Sequence, residues 1–279
     1  MATRTWTGAA GDGDWGATGN WAETTVPING DDVYFVSGSA NVTTGLNQSG
    51  VTLGSLNFGT KWTGSISTEL QINSTTVDYA NKIGVVYLKG TYTTINVQAT
   101  SADNPALNLN DSTITTLRIT GGSGTIYIAD GTTLSGEVSM IGCKNAKLEI
   151  QSGATVSAAD ITIDAGQVVT YEELDTIVQY GGTVTMQHAA GTTNTITMYK
   201  GVLKYQPTAN VTLTTLTVYG GYFDMRGCNA PTHTLTNSTI YSGSMIDERN
   251  GLSNATYTNP ITSNGGVFMP DLGRSIAVS

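Results

Sequence analysis

One feature narrows the folds open to this 279-residue chain more than any other, a repeat that carries a glycine at a fixed place. Gly166, Gly182, Gly201, Gly221, Gly243 and Gly266 follow one another at intervals of 16, 19, 20, 22 and 23 residues. Each lies between two short segments in which apolar and polar residues alternate. The units run over residues 116–128, 161–171, 176–186, 195–205, 215–225, 238–248 and 261–269. Alternation puts Leu216 and Val218 on one face of a strand and Thr215, Thr217 and Tyr219 on the other, so a strand buries one side only. A hairpin of about 10 residues is marginal by itself in water. Coils stacked about 4.8 Å apart bury a continuous apolar column and satisfy one another's backbone groups. The drift in spacing fits such stacking, which tolerates insertions at corners. The predicted fold is therefore all-β, a parallel β-solenoid with about 20 residues per coil. A β-sandwich or jelly roll, whose strands also come every 8 to 12 residues or so, is the alternative.

Composition supports frequent strands and tight corners: 47 Thr and 34 Gly, with 39% hydrophobic and only 12% charged residues. Residues 41–110 fit the same scheme less regularly, with strands expected over 51–58, 69–73, 85–88, 93–98 and 106–110. They read as the first coils of one solenoid, because no linker interrupts the chain. The stretch Tyr171 to Asp175 (YEELD) carries the one sign of a helical turn. The expected organisation is an N-terminal Trp-rich segment over residues 1–32, the solenoid over 33–269 and a tail over 270–279.

Net charge is −9, and the 12 Lys and Arg are scattered, which disfavours nucleic acid as a partner. No segment has the length and apolarity of a membrane span or a signal-peptide core, so a product made in the cytoplasm without export is expected. Cys143 and Cys228 lie about four coils apart and are expected to be free.

Three of the four tryptophans, Trp6, Trp15 and Trp21, stand in the first 32 residues. They are expected to cover the open end of the column, to dock on another protein, or both. The succession W-x-G (Trp6), D-x-x-W (Asp12 to Trp15), N-W (Asn20, Trp21) and P-x-x-G-D-D-V (Pro27 to Val33) resembles the start of β-helical surface and virion proteins. These include autotransporter-like repeat proteins and tailed-phage structural proteins. With no export signal expected, the resemblance implies a virion component, either a capsid decoration protein or a fibre.

Chemistry is sparse. Gly11 to Gly16 formally matches G-x-G-x-x-G, but no buried strand precedes it, no helix follows, and Asp12 and Asp14 would repel phosphate. His188 and His233 read as surface or corner residues about two coils apart. Neither cysteine shows a base beside it, so no nucleophilic set is visible. The acids Glu172, Glu173 and Asp175, with Asp160 and Asp164 one coil earlier, and Asp224, Asp247 and Glu248 further on, are read first as solvated corner charge. A glycan-cleaving or glycan-binding pair is the second reading. No catalytic, cofactor-binding or metal-ligating residues are expected, and no cofactor. The favoured function is a structural virion protein that decorates and stabilises a phage head as a homotrimer on the major capsid protein, without nucleic-acid or membrane partners. Tyr199, Tyr205, Tyr219 and Tyr241 are expected on the flank that packs between copies. A receptor-binding fibre or spike that binds or cleaves surface glycan is the alternative.

Overall fold

The structure, a computed structural model, describes residues 1–64, 66, 89–98, 107–122, 124–156, 160–189, 191–226, 228, 232–247, 254–270 and 277–278. The strands assemble into a parallel β-solenoid, which among the described residues has one 15-stranded and one nine-stranded sheet. Every strand pair in both sheets is parallel, and neighbours along a sheet are one coil apart in sequence. The sandwich is thereby excluded.

The two strands of a repeat unit do not pair with each other. Thr176–Gln179 belongs to the large sheet and Thr183–Met186 to the small one. Each is bonded to the equivalent strand in the coil before and the coil after. The glycine turn between them is a corner joining two sheets. Its glycine is there for two physical reasons. Gly166, Gly182, Gly201 and Gly221 all have φ between +70° and +90°, a region in which a Cβ is disfavoured. They also stack: a Cβ on Gly201 would sit 2.5 Å from the carbonyl oxygen of Gly182, and one on Gly221 would sit 2.5 Å from that of Gly201. Those carbonyls accept from the backbone amides of the next coil, as in Val202 N to Gly182 O at 3.1 Å.

Alternation builds the core. Val33, Leu56, Ile95, Leu117, Val138, Ile161, Ile177, Ile196 and Leu216 lie in register along the inward face of the large sheet. Leu107, Ile126, Leu148, Val168, Val184, Leu203, Phe223, Met245 and Phe268 do the same in the small sheet. Successive rungs from Ile161 to Ser238 are 16, 19, 20 and 22 residues apart. Polar residues also take inward places, among them Thr170, Thr193, Gln179 and Ser238. Gln179 is fully buried and donates to the carbonyls of Gly182 and Val202; Ser238 stands above Leu216 with its hydroxyl unpartnered among the described residues.

The expected strand at 51–58 is the centre of Asn47–Trp62, and that at 93–98 belongs to Lys89–Val97. The expectations at 69–73 and 85–88 lie outside the described residues. Residues 171–175 form no helix; Leu174 is buried in the core and the chain bends around it. The one helical turn among the described residues is a short 3-10 turn at Thr18–Asn20. At the far end Ala277–Val278 pairs with Asn254–Tyr257, so part of the expected tail extends the large sheet.

Candidate functional site

The N-terminal segment closes the column. Thr3–Thr5 adds a parallel strand beside Asp32–Gly38, and the chain then folds back so that Trp6 and Trp21 form an antiparallel bridge. Trp6, Trp15 and Trp21 are 2%, 0% and 1% exposed. Trp21 meets Trp6 and Trp15 edge-on at centroid distances of 5.1 and 5.0 Å, and both of those rings lie about 6 Å from Phe35. Phe58 and Trp62 continue the cluster into the next coil. Two of the three indole N–H groups are tied off by the backbone, Trp6 Nε1 donating to Ala40 O and Trp21 Nε1 to Trp15 O, while Trp15 Nε1 has no partner among the described residues. The three indoles therefore serve as core, and their side chains are not available to a partner. A molecule meeting this end would touch the outer surface of the cap, where Ala9, Ala10, Asp12 and Thr18 are exposed.

That surface is held by short polar links. Buried Asn20 accepts from Ala10 N and donates to Asp12 Oδ1 and Asp14 O. Asp12 also accepts from Asp14 N, and these bonds hold its carboxyl below the usual carboxylate range. The Gly11 to Gly16 loop is thus a set of self-capped turns with only the short 3-10 turn Thr18–Asn20 behind it. Across the entry of the cap, Asp31 accepts from Ala2 N, Ile28 N and Arg4 Nε. Burial would raise its carboxyl, but the Arg4 bond and the two amides outweigh burial and lower it.

The acids of the YEELD stretch work as staples between coils. Glu172 accepts from Gly153 N one coil back at 2.6 Å, and Glu173 from Thr192 N one coil forward at 2.7 Å. Asp175 accepts from Asn194. Asp224 is buried in a bidentate pair with Arg226, at 2.9 and 2.8 Å, and also accepts from Arg226 N. Burial raises its carboxyl and the arginine more than offsets that. Asp160 and Asp164 are exposed. The side chains of Asp247 and Glu248 lie outside what is described. Among the described residues no group of three or more His, Cys, Asp and Glu could hold a metal ion.

Both histidines are inside the column, which corrects the expectation of surface positions. Each occupies an inward place that alternation assigns to the core, and Thr and Ala neighbours in sequence disguise it. His188 packs edge-on against Tyr205 at 5.9 Å, has no hydrogen-bond partner among the described residues, and burial lowers its pKa to about 4. His233 Nδ1 lies 3.7 Å from Cys228 Sγ, a pairing that the five-residue spacing could have signalled. Both partners are buried. Neither Cys143 nor Cys228 forms a disulfide.

On the outer corner of the column Tyr180, Tyr199, Tyr219 and Tyr241 stack in one ladder, with centroids 4.9, 5.0 and 4.7 Å apart and planes within 10° of parallel. All four are partly exposed, from 39% to 47%. Tyr180 joins the expected flank and Tyr205 leaves it. Tyr205 is the second inward residue of Val202–Tyr205 and is fully buried against Phe223.

Compared with known proteins, the chain matches no family model, no curated sequence and no solved structure.

Proposed function

We propose that the protein is a structural component of a tailed-phage virion, a decoration protein that sits as a homotrimer on the major capsid protein and stabilises the head. The observation that carries this reading is how the acids are used. In the groups that sequence singles out for glycan chemistry, Glu172, Glu173, Asp175 and Asp224 are all spent on bonds within and between coils. What they produce is rigidity rather than a reactive cleft.

Two further features support it. An end closed by a packed aromatic plate gives a firm surface for attachment, and the tyrosine ladder is an uncharged strip along the column that a second copy can cover. Cyclic closure would then prevent open-ended association of such flanks. The resemblance of the N-terminal motif supplies the phage context.

Electron microscopy of heads with and without the protein tests this. Threefold projections at regular capsid positions, and loss of packaged DNA at a lower temperature when they are absent, are expected. Density confined to the tail would replace the reading with that of a receptor-binding fibre or spike. Because Trp6, Trp15 and Trp21 are core, the attachment face is better probed by Thr18→Lys, at an exposed position of the cap, than by removing the segment.

A further inference from the structure

The outer face of the large sheet carries a notch near its N-terminal end, formed by an irregularity in pairing. Asp32–Gly38 and Asn47–Trp62 stay in register up to Phe35 and Phe58, then shift so that Ser37 faces Lys61. Gly59 and Thr60 together oppose Val36, a β-bulge of the kind that re-aims side chains around sites. Gly59 also falls in the corner column that later coils fill with the tyrosine ladder. A Cβ there would lie 3.1 Å from Val36 O and 3.3 Å from Phe35 O. With no side chain at this point, an open cavity of about 440 Å³ remains between Tyr34, Val36, Asn57, Asn96 and Gln98.

Its lining is uncharged in a chain of net charge −9. The amides are also set in place. Asn57 donates to Val33 O and Ser55 Oγ, and its carbonyl oxygen accepts from Asn96 Nδ2 at 2.7 Å. One N–H of Asn96 is engaged in that bond, its carbonyl oxygen and second N–H remain for a ligand, and exposed Gln98, just past the end of the same strand, brings a second amide to the lining. Side-chain amides both donate and accept, as the hydroxyls of a sugar do, and the Tyr34 ring supplies a flat apolar wall for its C–H face. A cavity of this size belongs to the small-ligand range.

We propose that this notch binds a neutral oligosaccharide, through the amides of Asn96 and Gln98 and the ring of Tyr34. This goes beyond the structural role and does not depend on it. A sugar site on the side of the column would let an attached molecule touch glycan without cleaving it.

Saturation-transfer NMR and calorimetry on the full chain test the proposal, with maltotriose, cellotriose, mannotriose and chitotriose as probes and sialyllactose as the anionic comparison. At least one neutral trisaccharide is expected to bind with a Kd of about 0.1 to 1 mM. Gln98→Ala, at an exposed position, and Asn96→Ala are each expected to weaken it about tenfold while the thermal melt of Gln98→Ala stays that of the parent. Three results would overturn it: no saturable binding of any neutral probe at about 10 mM, binding unchanged in both variants, or a preference for the sialylated sugar.

Discussion

Trp15→Ala removes the indole at the centre of the cap, and the structure states what is lost. The ring is fully buried, meets Trp21 edge-on at 5.0 Å and lies 6.1 Å from Phe35. Truncating a buried tryptophan costs about 3 to 5 kcal/mol, and an aromatic pair adds about 0.5 to 1.5 kcal/mol beyond its area. No hydrogen bond is lost, because Trp15 Nε1 has no partner among the described residues. Trp21→Ala loses ring contacts on two sides and also the bond from Trp21 Nε1 to Trp15 O. It is therefore expected to cost about 1 kcal/mol more than Trp15→Ala. In a stacked column the loss falls first on the end that the residue closes. Hydrogen exchange of Trp15→Ala should show faster exchange in Thr3–Thr5 and Asp32–Gly38 while Thr215 to Val218 keeps its protection. A melting temperature lower by about 6 to 10 °C should accompany it. A variant that melts within about 1 °C of the parent, with unchanged exchange near Phe35, would refute the view that the indoles stabilise this end.

Gly201→Ala places a Cβ 2.5 Å from Gly182 O at a φ of +90°; the combined strain and overpacking should destabilise the chain by about 2 to 5 kcal/mol in urea titration. Asp31 has its pKa lowered by folding, so its contribution is complete above the unfolded value and is lost as pH falls through the folded one. Asp31→Asn should flatten the acid side of the stability profile below about pH 4. His188 adds a second acid limb of different origin. Burial lowers it from 6.5 to about 4, so the unfolded chain takes up its proton first and stability falls between those values as pH drops. His188→Leu should remove that limb in pH-dependent melting. Light scattering should give three times the 29.1 kDa chain mass, and Tyr199→Ser with Tyr219→Ser should lower it toward one; a single-chain mass for the parent would count against the ladder as a contact between copies.

Alternation and glycine spacing are local properties, and they were enough to favour the solenoid over the sandwich, to give the inward identity of Leu216 and Val218, and to place turns at Gly182, Gly201 and Gly221. They could not tell a hairpin from a corner, because both need two short strands and a glycine; the choice depends on whether a strand bonds to its neighbour in the chain or to the coil above. Sequence likewise concentrated Trp6, Trp15 and Trp21 at one end without saying whether they face inward. Their burial depends on Phe35, backed by Phe58 and Trp62 of the next coil, rising to meet them. The contacts on which the proposals rest run across coils of unequal length. Glu172 reaches Gly153, Glu173 reaches Thr192, Tyr180 begins a ladder with Tyr199, and Asn57 meets Asn96 across 39 residues. Periodicity specifies which face a residue takes. Only the stacked structure, in which each insertion and bulge resets the register of one coil against the next, decides which residues on that face become neighbours.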